Sequence, residues 1–89
     1  MNIIVMKFGG TSVANIKKIN NVAKIVEKEV KQHKIIIVLS AMAGETNRLQ
    51  GYLDEINCKY PEENDLVLTS GEQVTIGLLS AILKSKKIN

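Results

Sequence analysis

Apolar residues in this chain fall into two patterns, unbroken runs of strand length and stripes at helical spacing. The first run, Asn2-Ile3-Ile4-Val5-Met6-Lys7-Phe8, is rich in β-branched residues and ends at Gly9–Gly10. The second, Ile35-Ile36-Ile37-Val38-Leu39, has no polar break. Runs that are apolar on both faces predict buried strands of a parallel sheet. Between them Ile16, Ile19, Ala23, Val26 and Val30 recur at steps of three and four, which predicts a helix over roughly 13–31 with one stripe turned to the sheet. Val22 widens the stripe, Ile25 falls off it, and Lys17, Lys18, Lys24, Glu27, Lys28 and Lys31 lie largely on the solvent side. Thr11 and Ser12 are placed to cap this helix. Strand, helix and strand in this order make a βαβ unit.

Helical spacing resumes over 46–57, where Leu49, Leu53 and Ile56 share a side and Gly51 weakens the pattern. Residues 59–64 read as a turn around Pro61. The stretch 65–69, Asp-Leu-Val-Leu-Thr, fits either a short strand or a helical turn. From Gly71 to Leu83 the spacing of Val74, Leu78, Leu79 and Ile82 predicts a further helix, with Gly77 as a weak point or a close packing contact. Lys84, Lys86 and Lys87 suit a helix C-terminus. The class is therefore α/β.

Composition adds limits. A chain of 89 residues is one domain at most and buries a small core, so its stability is expected to be marginal. The aromatic residues are Phe8, Tyr52 and Tyr60, which leaves Ile, Val and Leu to build that core. The net charge of +3 comes from lysines gathered at Lys17–Lys34 and Lys84–Lys87. With a single arginine and no aromatic platform among them, these read as solvated helix faces and not as a nucleic-acid surface. Cys58 stands alone, so there is no intrachain disulfide and no cysteine-based metal site, as suits a reducing cytoplasm. No long apolar span or signal-peptide pattern is evident, so no membrane partner is expected.

Ligands of α/β folds bind outside the carboxyl ends of the strands, and both such junctions here are unusual. At Lys7-Phe8-Gly9-Gly10-Thr11-Ser12 the glycines allow a tight turn with exposed amides, Lys7 adds a positive charge, and Thr11 and Ser12 add hydroxyls. These groups suit a phosphate cradle. It is neither the P-loop nor the spaced-glycine dinucleotide pattern, and a plain tight turn with a surface lysine explains it equally well. The second junction, Ser40 to Asn47, offers the hydroxyls of Ser40 and Thr46, which helix capping also accounts for. The third segment is Thr69-Ser70-Gly71-Glu72-Gln73. There Glu72 falls at the expected first turn of a helix, where an acid is favoured for structural reasons. His33 reads as a surface residue, Cys58 as inert, and no metal ligands are suggested.

Taken together and in this order, Lys7-Phe8-Gly9-Gly10-Thr11-Ser12-Val13, Ser40-Ala41-Met42-Ala43-Gly44-Glu45-Thr46-Asn47 and Leu68-Thr69-Ser70-Gly71-Glu72-Gln73-Val74 resemble the opening motifs of aspartate kinases. The first motif alone is similar to the wider amino acid kinase family, and the other two narrow it. The resemblance runs from residue 2 to residue 89. It implies a three-layer sandwich of the amino acid (carbamate) kinase type, of which residues 1–89 are the N-terminal part. The remainder of the kinase domain and the regulatory ACT domains are then absent.

The same resemblance implies the chemistry. ATP gives its γ-phosphoryl group to the β-carboxylate of L-aspartate, with Mg2+, on the route to lysine, threonine, methionine and diaminopimelate. Lys7 would stabilise the transferring group as the catalytic residue. Phe8, Gly9, Gly10, Thr11 and Ser12 would cradle the phosphates with Lys7. Ser40 and Thr46 would orient aspartate, and Glu72 would meet its ammonium group. The magnesium ligands and most of the adenine site would lie in the absent portion. The chain alone is then expected to be inactive and loosely folded or self-associating, unless a C-terminal kinase subunit or a second copy completes it. A non-catalytic relic or small binding module, and another amino acid kinase acting on glutamate or an N-acetylated amino acid, are the alternatives. The second and third motifs disfavour the latter.

Overall fold

The computed structural model describes residues 2–88. The chain runs through β1 (Ile3–Phe8), α1 (Ile16–Glu29), β2 (Lys34–Leu39), α2 (Glu45–Glu55) and α3 (Pro61–Ser85). The two strands pair in parallel, from Ile3 opposite Lys34 to Phe8 opposite Leu39, and α1 is the crossover between them. This is the βαβ unit followed by helices that the apolar runs predict.

The strands are not buried on both sides. Exposed and half-buried positions alternate along each of them. Phe8, Ile35, Ile37 and Leu39 pack against the core. Ile3, Val5, Ile36 and Val38 are 64%, 55%, 53% and 47% exposed, and in the paired register they share the opposite face with Lys7 and Lys34. Among the described residues, helices cover one face of the sheet only, which gives two of the three layers of the implied sandwich. An unbroken apolar run shows that both faces suit burial, but not which face is covered.

The core is built by Val13, Ile19, Val22, Ala23, Val26 and Leu79. The stripe of α1 is narrower than expected, since Ile16 is 50% exposed and Val30 only half-buried. Ile25, off the stripe, is exposed as well. The helix also starts later. Val13 is wholly buried and anchors a turn in which the Gly9 carbonyl accepts from the amides of Ser12 (3.0 Å) and Val13 (3.3 Å). The N-cap is Asn15, whose side chain accepts from the Lys18 amide at 2.9 Å. Thr11 and Ser12 are therefore not the caps; the turn holds them short of the helix.

The second helix begins at Gly44, which has φ 78° and no side-chain cap bond. Leu49 and Leu53 are buried, while Ile56 lies past the helix end and is 72% exposed. Asn57 takes a left-handed conformation with φ 53°. The Cys58 amide then reaches the Leu53 carbonyl at 3.0 Å, a Schellman-type stop. The third helix stops in the same way, with Lys87 at φ 62° and the Ile88 amide on the Leu83 carbonyl at 2.9 Å.

The largest departure from the sequence reading is α3. Residues 61–64 of the expected turn and the ambiguous stretch 65–69 are its first turns. Pro61 sits at the first helical position, and Glu62 and Glu63 follow it in the first turn. There the missing N–H costs nothing and the acids complement the helix dipole. The buried face of α3 is Gly71, Thr75 and Leu79, and Val74 is 53% exposed. Joined into 25 residues, α3 is also long and apolar enough to cross a membrane by length and composition, which corrects the expectation of no long apolar span. Here it packs against α1, α2 and β2, and Lys86 pairs with Glu27 of α1 at 3.5 Å.

Candidate functional site

Three segments meet at the carboxyl end of the sheet. The Ser40 amide donates to the Phe8 carbonyl at 3.1 Å, so the ladder runs one residue past β2 and ties the second junction to the first. A Cβ on Gly10 would stand 3.7 Å from the Ala41 carbonyl oxygen. A Cβ on Gly71 would stand 3.2 Å from Ala41 Cβ, 3.1 Å from Leu49 Cδ1 and 3.8 Å from Glu45 Cβ. Ala41 is thus the common neighbour of the glycine turn and of the middle of α3.

In the first segment, Lys7 is exposed on the open face of the sheet, while Phe8 turns into the core. Gly9, Thr11 and Ser12 are exposed and Gly10 is half-buried. Among the described residues the amides of Gly10 and Thr11 reach no backbone carbonyl, so they are available to an anion. A pocket of about 340 Å³ beside the turn is lined by Phe8, Thr11, Ser12, Lys18, Asn21, Val22 and Ile25. Lys7 does not line it. Lys18 does, and sequence reasoning missed this because the stripe rule assigns Lys18 to the solvent face.

In the second segment Ser40 is half-buried and Thr46 exposed. Neither caps α2, because Gly44 holds the N-cap position. Glu45 is engaged by Arg48, which also donates to the Tyr52 hydroxyl at 3.0 Å and lies 5.6 Å from that ring's centroid. The Glu45 carboxylate, then the Tyr52 hydroxyl, hold the Arg48 guanidinium above its already high ordinary pKa. In the third segment Glu72 is exposed in the interior of α3, not in a first turn. Thr69 and Ser70 return their hydroxyls to the carbonyls of Leu66 (3.4 Å) and Val67 (2.6 Å).

These placements remove capping and the helix dipole as explanations for Thr11, Ser12, Ser40, Thr46 and Glu72, while Lys7 is an exposed side chain beside a tight turn. Asn15, not Thr11 or Ser12, caps α1; a glycine, not Ser40 or Thr46, caps α2; and Glu72 is far from the dipole's positive end. No side-chain hydrogen bond or ion pair involves Lys7, Thr11, Ser12, Ser40, Thr46 or Glu72 among the described residues. Cys58 is half-buried, with its thiol 3.7 Å from the Tyr60 carbonyl.

Comparison with known proteins agrees with this fold. The chain is 44% identical over 93 residues to the aspartokinase of Rickettsia felis, covering 99% of the chain and 23% of that protein. Against the aspartokinase of Pseudomonas aeruginosa it is 47% identical over 85 residues, with coverage of 93% and 21%. Aspartokinase 2 of Bacillus subtilis is 45% identical over 89 residues, with coverage of 97% and 22%. The crystal structure of aspartate kinase from Synechocystis matches with a TM-score of 0.87 at 37% identity, over 96% of this chain and 15% of that one. The chain thus spans less than a quarter of the length of these curated relatives. The sequence pattern described as the amino acid kinase family matches residues 2–89, and the chain belongs to that family.

Proposed function

We propose that this chain supplies the phosphate-binding and acceptor-binding side of an aspartate kinase, which moves the ATP γ-phosphoryl group to the β-carboxylate of L-aspartate in the cytoplasm. The observation that carries the reading is the meeting of the glycine turn, the Ser40–Asn47 junction and the Gly71–Glu72 segment around Ala41. A carboxylate is already a nucleophile, so the task is to neutralise charge and align donor with acceptor. Lys7 offsets the charge that develops on the transferring group. The amides of Gly9, Gly10 and Thr11, with the hydroxyls of Thr11 and Ser12, hold the phosphates. Ser40 and Thr46 orient the acceptor, and Glu72 receives its ammonium group.

Magnesium enters with ATP. Among the described residues no group of three His, Cys, Asp or Glu side chains gathers to hold a metal. The described residues do not by themselves make up a metal cage.

The test is transfer from Mg-ATP, measured as aspartate-dependent ADP release by the purified chain, alone and mixed with lysate of its source organism. The expected result is no transfer alone above a Lys7→Ala control, and transfer in the mixture that is lost with Lys7→Ala. Robust activity of the chain alone would overturn the view that it holds only part of a site. An active mixture indifferent to Lys7→Ala would overturn the role of Lys7.

A further inference from the structure

Gly71 is buried in the interior of α3. Its backbone is not in the left-handed region, so nothing in its conformation requires glycine. Alanine is also the better helix former. What the position lacks is room. A Cβ there would meet Leu49 Cδ1 at 3.1 Å and Ala41 Cβ at 3.2 Å. Leu49 Cδ1 ends a flexible side chain and can rotate away. Ala41 Cβ is fixed to backbone, and that backbone is itself confined. The preceding amide, Ser40, is bonded to Phe8, and the Ala41 carbonyl stands against Gly10. A methyl group at position 71 therefore pushes α3 and the second junction apart by a few tenths of an ångström.

The residues beside this contact are those assigned to the acceptor: Ser40 precedes Ala41, Thr46 follows Glu45, and Glu72 follows Gly71. The geometry points to Gly71 as a positioning residue, whose missing side chain sets the gap between Glu72 and the hydroxyls of Ser40 and Thr46, and with it the amino acid that fits between them. This rests on the acceptor role proposed above for those three residues. Gly71 touches no reactant; it acts through the spacing of the groups that do.

The experiment is a ¹H–¹⁵N NMR titration of the full chain with L-aspartate, and separately with ATP, for the wild type, Gly71→Ala and the double variant Ala41→Gly/Gly71→Ala. The double variant removes the Cβ that the new methyl meets. In the wild type, L-aspartate is expected to shift the amides of Ser40, Thr46 and Glu72. In Gly71→Ala the Kd for L-aspartate rises about tenfold, in keeping with the steep cost of small misplacements. The ATP response at Gly9 and Thr11 stays within about twofold of the wild type, and the double variant recovers most of the aspartate affinity. Aspartate binding in Gly71→Ala as tight as in the wild type overturns the inference alone. A loss that Ala41→Gly does not recover also overturns it, because the effect is then general damage to α3. No response of the wild type to L-aspartate, either alone or in the lysate mixture that completes the site, overturns the acceptor reading itself, and the inference with it.

Discussion

The backbone amide of Ser40 is held 3.1 Å from the carbonyl of Phe8, so the residue that opens the second junction is fixed by the strand that opens the first. Its hydroxyl makes no hydrogen bond among the described residues and stays free for a ligand. Ser40→Ala is expected to change stability by less than about 0.5 kcal/mol, as for a side chain with no structural partner, and to weaken L-aspartate binding. Urea unfolding and an NMR titration of the same sample check both halves. A loss of stability above about 1 kcal/mol would make the hydroxyl a structural group.

Asn15 and its neighbours separate capping from chemistry. Because Asn15 accepts from the Lys18 amide, Asn15→Ala should cost about 1 kcal/mol of stability. Thr11→Ala and Ser12→Ala should each stay within about 0.5 kcal/mol of the wild type while weakening the response to ATP. Chemical denaturation beside ATP titration reads the contrast. Equal destabilisation by all three would return Thr11 and Ser12 to a capping role.

Three glycines should respond in opposite directions. A Cβ at Gly51 or Gly77 meets nothing within 4 Å, and both lie inside helices. Gly51→Ala and Gly77→Ala should each stabilise by about 0.5–1 kcal/mol. Gly44 has φ 78° at the start of α2, a conformation that costs about 1–2 kcal/mol for a residue with a Cβ, so Gly44→Ala should destabilise by that much. Melting temperatures of the three single variants suffice as the check.

The open sheet face should make the chain self-associate. Val5 and Val38 are 55% and 47% exposed on a face with no covering helix among the described residues. Apolar sheet surface of this kind seeks partners, and charge on it opposes pairing. Val5→Lys and Val38→Lys should each weaken association at least tenfold, about 1.4 kcal/mol, by sedimentation velocity across a concentration series. Ile37→Lys, on the covered face, should unfold the chain instead. A wild type that stays monomeric at all concentrations tested would contradict this.

The parts of the fold that rest on local pattern were legible in the sequence. Ile19, Val22, Ala23 and Val26 mark α1 by spacing alone, and the runs ending at Phe8 and Leu39 mark the strands. Which strand face is covered was not legible, since Ile36 and Ile37 are the same residue type and differ only in what lies above them. Pro61 carried two meanings, turn and first helical position; Glu62 and Glu63 after it favoured the second, and the weight given to proline as a breaker hid the start of α3. The candidate site residues stand out in the sequence as types in motifs. Their meeting does not, because the contact of Gly71 with Ala41 depends on how α3 crosses the second junction, and no spacing rule encodes that.

The burial of Val13 and Ile19 beside Leu79 also has a consequence for synthesis. The chain is made from its N-terminus, and the core that α1 helps to build is closed by a residue near the end of α3. At roughly 5–20 residues per second, the apolar stripe of α1 waits several seconds at the ribosome before its cover emerges. During that interval β1 and α1 are open to chaperones and to other nascent chains.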